Sequence, residues 1–197
     1  MQHGERIIIG VGGNVGTGKT TVCKFFESWG AHYISADEVG WKVLPEISHA
    51  LEEKFGKTVM NEEMVDRKGL RDIVFSQREN LEYLNKLSHP LIIQKILQRI
   101  QESTSEMIVI DAALLFDWPE IFEKIDYSIL VTAAESIKTK RSMAKGINSD
   151  LFKKIVSFQK KDTEISGQAN FIIKNNGTMN ALKKQCHNIY EEIKNDC

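Results

Sequence analysis

The chain has 197 residues and a nearly balanced charge, with 26 lysines and arginines against 27 aspartates and glutamates. This length supports one well-buried core with room for inserted segments rather than a second full domain. Because the net charge is only −1, no overall field draws the chain to nucleic acid or to a membrane, and neither is expected as a partner. Nothing in the sequence implies a protein partner.

The cysteines and the apolar runs restrict the cellular setting. Cys23, Cys186 and Cys197 are odd in number and lack a Cys-x-x-Cys spacing, so we expect neither a disulfide framework nor a zinc site. A reducing, cytoplasmic location is predicted. The first strand is expected close to Met1, and no apolar run approaches membrane-spanning length, so neither secretion nor membrane insertion is expected.

The first elements in chain order are a short apolar strand, Arg6 to Val11, and a glycine-rich loop that fits the phosphate-binding pattern G-x-x-x-x-G-K-S/T. In such a loop the backbone N–H groups point at phosphate oxygens, and the N-terminus of the next helix favours negative charge. We expect Lys19 to reach the β- and γ-phosphates of a nucleoside triphosphate and the Thr20 hydroxyl to hold Mg²⁺. The predicted nucleotide-binding residues of this segment are Asn14, Val15, Gly16, Thr17, Gly18, Lys19, Thr20 and Thr21.

A helix from about Gly18 to Trp29 and a strand from His32 to Ser35 complete a strand–helix–strand unit, which predicts parallel pairing with a right-handed crossover. Three later apolar runs of strand length bring the number of buried strands to five. These runs are Met107–Asp111, Tyr127–Thr132 and Phe171–Ile173. The predicted fold is α/β: a three-layer P-loop NTPase fold with a five-stranded parallel sheet and helices on both faces.

Two helical segments interrupt this core. No strand is expected over about residues 38–105, where apolar residues recur at helical spacing and Pro90 is expected to break the helix, with Ser88 or His89 capping a new one. A second, lysine-rich helical stretch is expected over about residues 135–168, and an amphipathic helix from Met179 to Ile193 closes the chain. This layout predicts a single kinase domain with a helical acceptor-binding insertion and a helical lid.

Other classes of P-loop protein lack support in the sequence. A GTPase needs an Asn-Lys-x-Asp motif, and the only Asn-Lys pair, Asn85-Lys86, is followed by Leu87 and Ser88. The string that comes closest to a transporter-ATPase signature, Ile165–Gln168, lacks one of the two glycines that this signature requires. Small-molecule kinases remain as the class that fits the layout.

Two aspartates follow buried strands and are expected at the carboxyl edge of the sheet, where open α/β folds bind ligands. Asp37 can accept a proton from a substrate hydroxyl or hold a water on Mg²⁺; alternatively, it is a helix N-cap for the segment beginning at Glu38. Asp111 can act on Mg²⁺ through water; alternatively, it is a strand-end turn residue. Thr20, Asp37 and Asp111 are therefore the predicted metal residues.

Four other positions have both a functional and a structural interpretation. His89 can contact a substrate phosphate, or it is a cap or packing residue. Arg141 can stabilise the transferring phosphoryl group from the lid, or it belongs to a solvated helix face. Asn176 and Gly177 follow the last strand, where kinases of this fold place the adenine, but Asn-Asn-Gly is also an ordinary turn.

Short strings in a shared order and spacing resemble one family over nearly the whole chain. Beyond the glycine-rich loop, these strings are Ser35–Asp37, Asp66–Leu70, His89–Ile92, Ala113–Asp117 and Asn175–Gly177. The sequence in this way resembles the dephospho-CoA kinases. The resemblance implies ATP- and Mg²⁺-dependent phosphorylation of the ribose 3′-hydroxyl of dephospho-CoA, the last step of coenzyme A synthesis. It implies catalytic roles for Lys19, Asp37 and Arg141, and acceptor contacts from Asp37, Arg67, His89, Leu114 and Leu115.

The sequence departs from this family at a few positions. Family members usually have aspartate at Ser35, arginine near Trp41, proline at Ala113 and a second lid arginine at about Lys145. Two alternatives therefore stay open: a kinase of the same fold for a nucleotide or other small alcohol, and a nucleotide-binding regulatory module without turnover. Retention of Asp37 and Arg141 argues against the second.

Overall fold

A five-stranded parallel sheet forms the centre of the molecule in this computed structural model, which describes residues 6–196. The strands are β1 (Ile7–Gly12), β2 (His32–Ser35), β5 (Met107–Asp111), β6 (Tyr127–Thr132) and β7 (Phe171–Lys174). Their order is β2-β5-β1-β6-β7, and every neighbouring pair is parallel. The predicted five-stranded parallel sheet is confirmed, and strand β1 lies at its middle.

Helices cover both faces of the sheet. On one face, α1 (Lys19–Ser28) and α9 (Met179–Asn195) bury a cluster that includes Phe26 and Leu182 against the strands. On the other face, α2 (Ala36–Phe55), α4 (Arg78–Glu102) and α5 (Pro119–Phe122) bury a second cluster around Ile34, Ile96 and Ile110. Burial on both faces explains why these strands are short, nearly continuous apolar runs. The three-layer arrangement is therefore also confirmed.

A third, smaller core lies within the helical segment that follows β2. Helix α3 (Arg67–Val74) packs with α2 and α4 around Leu51, Val59 and Leu70. A short hairpin of two two-residue strands, β3 (Met60–Asn61) and β4 (Met64–Val65), belongs to this unit. The prediction of no strand over residues 38–105 was therefore wrong here. Two-residue strands are too short to give an alternating pattern, and the turn between them uses Glu62 at a φ of 55° rather than a glycine.

The prediction that Pro90 interrupts its helix was also wrong. Helix α4 continues through Pro90, which is exposed, and neither Ser88 nor His89 begins a new helix. The buried side chains Ile92 and Ile96 fix the helix against the sheet, so packing outweighs the loss of one backbone hydrogen bond. The Ser88 hydroxyl instead donates to the Leu84 carbonyl oxygen at 2.8 Å.

Three α-helices lie between β6 and β7, where one polar helical stretch was expected. They are α6 (Glu135–Ala144), α7 (Ser149–Phe158) and α8 (Asp162–Ile165). Gly146, with a φ of 80°, lies in the turn after α6. Among residues 6–196, none of the helices combines the length and the apolar character that membrane crossing requires. Cys23 and Cys186 are buried free thiols, and Cys197 lies outside the described residues.

We predict that Pro90→Ala stabilises the protein. Alanine restores an N–H to the interior of α4, where proline is about 3 kcal/mol less favourable than alanine. Part of this gain is lost because alanine gives the unfolded chain more conformational entropy than proline does. The free energy of unfolding in urea should rise by about 1 kcal/mol or more. Gln94→Ala, an exposed change on the same helix, is the control, and a Pro90→Ala variant no more stable than this control would contradict the prediction.

Candidate nucleotide and acceptor site

The glycine-rich loop joins β1 to α1 at the carboxyl edge of the sheet and is held in a tight turn. The Thr17 hydroxyl donates to the Asn14 carbonyl oxygen at 2.9 Å. Gly16 and Gly18 have φ angles of 78° and 99°. A Cβ at Gly18 would lie 2.4 Å from Asn175 Nδ2. Only glycine meets both the backbone and the packing requirement at this position.

Lys19 lies over this loop, with its ammonium near two carboxylates. Its Nζ donates to the Asn14 carbonyl oxygen at 3.2 Å. Burial lowers the pKa of Lys19, and the charges of Asp111 and Asp37 oppose that effect. The Lys19 amine therefore interacts with both carboxylates and lies beside the backbone N–H groups that can bind phosphate oxygens.

Thr20 and Asp111 form the donor set that a P-loop protein uses for Mg²⁺. Thr20 Oγ1 donates to Asp111 Oδ2 at 2.6 Å, and Asp111 is buried. The Tyr33 hydroxyl donates to the same carboxylate oxygen at 3.3 Å. A threonine hydroxyl and an aspartate that share such a contact fit a hydrated Mg²⁺. Tyr33 was not predicted as a site residue. The sequence did carry a signal for it, because side chains two apart on a strand lie on the same face of the sheet, and Ser35, two residues after Tyr33, pairs with Asp111.

Asp37 lies in the first turn of α2, and the interpretation of Asp37 as a helix cap is wrong. Ser35 is the N-cap, because its hydroxyl accepts the Glu38 N–H at 3.2 Å. The Asp37 carboxylate is accessible from the cleft, yet desolvation by the surrounding protein raises its pKa. The charge of Asp111 raises this pKa further, and the charges of Lys19 and Lys145 lower it. Asp37 therefore lies just after β2, close enough to Lys19 of the phosphate-binding loop for the two charges to interact.

Arg141 contacts the glycine-rich loop rather than solvent alone. Its guanidinium donates to the Thr17 carbonyl oxygen and to Asn175 Oδ1, each at 3.2 Å. Asn175 is buried, and its Nδ2 donates to the same Thr17 oxygen at 2.8 Å. Asn175 was not predicted as a site residue, although it opens the Asn-Asn-Gly string.

The two predicted adenine residues, Asn176 and Gly177, follow Asn175. Asn176 Oδ1 accepts the Ala134 N–H at 2.7 Å at the start of α6, and Gly177 has no positive φ.

Residues 159–162, from the end of α7 to the start of α8, also contact the glycine-rich loop. Asn14 Nδ2 donates to the Lys160 carbonyl oxygen and to Asp162 Oδ1, each at 3.0 Å. Gln159 Oε1 accepts the Val15 N–H at 3.1 Å. The sequence carries no signal for these contacts, since they depend on how the helices after β6 fold back. One backbone N–H expected to bind phosphate is thus held by a glutamine.

A cleft of about 480 Å³ opens beside Asp37, between the helical segment after β2 and helix α7. Of the predicted acceptor residues, Asp37, His89 and Leu114 line it. The remaining lining is largely apolar. It includes Trp41, Leu44, Leu70, Val74, Phe75, Ile155 and Phe158. The cleft can therefore hold an extended organic molecule with one end at Asp37.

Two predicted acceptor residues lie outside the lining. Arg67 places its guanidinium over the Trp41 ring, 4.8 Å from the ring centre. Leu115 is fully buried in the core, where its side chain packs beside Gly10. Arg67 thus contacts a cleft residue without lining the cleft, and buried Leu115 fixes the chain that carries Leu114.

His89 is a neutral imidazole in the cleft wall. Its Nδ1 accepts the Trp118 Nε1–H at 3.2 Å, and the two rings meet edge to face. Burial lowers the pKa of His89, and Asp117 opposes this effect. Because Nδ1 accepts, the ring proton resides on Nε2, which can donate to a ligand.

Four features together define a P-loop kinase of small molecules. They are the parallel sheet with β1 at its middle, the glycine-rich loop, the Thr20–Asp111 pair and the adjoining cleft. Residues 7–181 match the model of the family described as dephospho-CoA kinase. The chain belongs to the dephospho-CoA kinase family.

Individual relatives agree with this assignment. The chain is 34% identical over 185 residues to the dephospho-CoA kinase of Dehalococcoides mccartyi, covering 89% of this chain and 92% of that one. A solved dephospho-CoA kinase from Campylobacter jejuni has 25% identity and a TM-score of 0.60, covering 96% and 98% of the two chains. A structure from Thermus thermophilus, at 24% identity and covering 95% and 97%, shares the fold with a TM-score of 0.77.

Gly18→Ala and Gly30→Ala form a matched pair that tests the packing of the loop. Both glycines have a positive φ, 99° and 103°, but a Cβ at Gly30 meets nothing within 4 Å. We expect each variant to lose about 1–2 kcal/mol of folding free energy from the left-handed backbone. Only Gly18→Ala should also displace Asn175 and lower the calorimetric affinity for ATP by about tenfold or more. Equal ATP affinities in the two variants would contradict this prediction.

Proposed function

We propose that the protein transfers the γ-phosphate of ATP to the ribose 3′-hydroxyl of dephospho-CoA, giving coenzyme A and ADP in the last step of coenzyme A biosynthesis. The observation that carries the proposal is the position of Asp37, which lines the apolar cleft and faces Lys19 of the glycine-rich loop. An acceptor hydroxyl at Asp37 therefore lies beside a bound γ-phosphate. Membership of the dephospho-CoA kinase family supplies the identity of the acceptor.

Phosphoryl transfer depends on positioning and charge neutralisation, and the residues around the loop meet both needs. The loop N–H groups and Lys19 orient the phosphates, and Thr20 and Asp111 would hold Mg²⁺. When bound, Mg²⁺ supplies neutralisation of the charge on the phosphate oxygens. Asp37 orients the acceptor hydroxyl and accepts its proton, for which a pKa raised by desolvation is suited.

We assign the helical segment at about residues 38–105 to acceptor binding and that at about 135–168 to a lid. In the first segment, His89 donates from Nε2 to the acceptor and Arg67 holds Trp41 against it. In the second, Arg141 adds positive charge at the loop through a planar group that can bind two oxygens. Asn176 and Gly177 lie beside the adenine of ATP in this proposal, which is supported by the contact of Asn176 with the start of α6.

We place the protein in a reducing compartment such as the cytoplasm. The support is chemical, since Cys23 and Cys186 are both buried as free thiols. Burial raises the pKa of the Cys186 thiol to about 12 and that of Cys23 well above its ordinary value, so both stay protonated and unreactive.

The acceptor is tested by measuring ADP release with dephospho-CoA, a nucleoside monophosphate and pantothenate as competing choices. We expect the highest kcat/KM with dephospho-CoA and a requirement for Mg²⁺. A higher kcat/KM with the nucleoside monophosphate would instead identify a nucleotide kinase. ATP binding without ADP release for any acceptor would identify a regulatory module.

Asp37→Asn is expected to lower kcat by about 10²- to 10⁴-fold, because the amide cannot take the hydroxyl proton. The calorimetric affinity for ATP and the melting temperature should stay near their wild-type values, since Ser35 and not Asp37 caps α2. The wild-type kcat should fall as the pH drops through the raised pKa of Asp37, because protonation removes the base.

Glu38→Gln is the matched control for this prediction, because Glu38 is the next residue of the same turn and its side chain is exposed. We expect its kcat to stay near the wild-type value. A near-wild-type kcat for Asp37→Asn would remove Asp37 from the catalytic residues.

A further inference from the structure

Arg71 provides the only lysine or arginine side chain among the residues, within 6–196, that line the cleft. It lies on α3, one turn after Arg67, whose guanidinium rests on the cleft residue Trp41. Residues four apart share a helix face, so the two arginines lie on the same face of α3. Asp37 carries the opposite charge in the lining, and the lowered pKa of His89 keeps that side chain neutral near pH 7.

The Arg71 guanidinium is incompletely paired. Its Nε is hidden from solvent and has no hydrogen-bond acceptor within the described part of the chain. The carboxylate of Asp72, the next residue, is 3.6 Å from Nε, which is too long for a hydrogen bond, and the Asp72 side chain is 52% exposed. A buried donor without a hydrogen-bond acceptor destabilises a folded protein, so Arg71 is held at a cost that stability does not explain. The Arg71 side chain as a whole is 30% exposed, so part of it stays open to a ligand.

The chemistry of such a ligand follows from the guanidinium and its surroundings. A planar guanidinium binds two oxygens of a phosphate at once, and its charge acts strongly where the neighbours are apolar, as Leu70, Val74 and Phe75 are here. In dephospho-CoA, the ribose that carries the reacting 3′-hydroxyl also carries a diphosphate on its 5′ carbon. A ribose held at Asp37 therefore brings a diphosphate into the same cleft.

We propose that Arg71 binds the diphosphate of the acceptor and so selects a phosphorylated nucleoside over an unphosphorylated one. This inference rests on the proposed function, because it takes dephospho-CoA as the acceptor. Arg71 acts as a specificity-determining residue, and its role is separate from the transfer of the phosphoryl group.

The test compares the wild type with Arg71→Met, which keeps the length of the side chain and removes its charge. Calorimetry measures the Kd of dephospho-CoA and of adenosine, with the ATP site filled by a non-hydrolysable ATP analogue. We expect Arg71→Met to raise the Kd of dephospho-CoA about 10- to 100-fold, the size of a lost charge-assisted hydrogen bond, and to leave that of adenosine unchanged. Arg71→Lys should fall between the two, since an ammonium is a point charge.

Lys68→Met is the control for the loss of a positive charge from α3, because Lys68 is exposed and lies outside the cleft lining. It should bind both compounds as the wild type does. Arg71→Met should also keep or raise the melting temperature, because the substitution removes an unsatisfied donor. If Arg71 had only a structural role, its replacement would give a less stable protein that binds both compounds more weakly.

The outcomes separate this inference from the proposed function. If the wild type binds dephospho-CoA but does not phosphorylate it, the proposed function is wrong. The comparison of Kd values then still decides the role of Arg71. Equal Kd values for dephospho-CoA in the wild type and Arg71→Met, or an equal rise for adenosine, overturn the inference. If the wild type binds no dephospho-CoA, both proposals fall.

Discussion

The carbonyl oxygen of Thr17 joins three parts of the chain that are far apart in sequence. It accepts hydrogen bonds from Arg141 on α6 and from Asn175 just after β7. Arg141 and Asn175 also bond to each other, so the three groups form a closed set around one backbone atom. The shape of the glycine-rich loop therefore depends on the end of the last strand and on the first helix after β6. Gly18 is required because any side chain there would push Asn175 out of this set.

The charges around the loop depend on one another in the same way. Lys19 stabilises both Asp37 and Asp111, and without it burial and mutual repulsion would favour protonation of Asp37. The hydroxyls of Thr20 and Tyr33 add neutral donors to Asp111. Asp111, with two hydroxyl donors beside it, is placed to hold a cation, while Asp37 opens to the cleft and to an acceptor.

The sequence was informative where a local pattern determines the structure. The buried strands were predicted to within about one residue because each is an apolar run of strand length, and the glycine-rich loop has a spacing that its backbone geometry requires. Pro90 was misjudged because tertiary packing on Ile92 and Ile96 holds α4 together. Gln159 and Asn175 escaped prediction because they contact residues far away in the chain, and Arg71 escaped it because the cleft that it lines forms only when distant helices pack together.

Gln159 connects the two halves of the site. Its side-chain oxygen accepts the Val15 N–H, and the residue also lines the cleft beside Asp37. A phosphate oxygen could bind this N–H only in place of the glutamine oxygen, so one residue contacts the nucleotide loop and borders the acceptor cleft. The α7 residues Ile155 and Phe158, which come just before Gln159, line the same cleft. Occupation of the loop and the shape of the cleft are therefore linked through one short segment, which suits a reaction that needs both substrates in place before water is excluded.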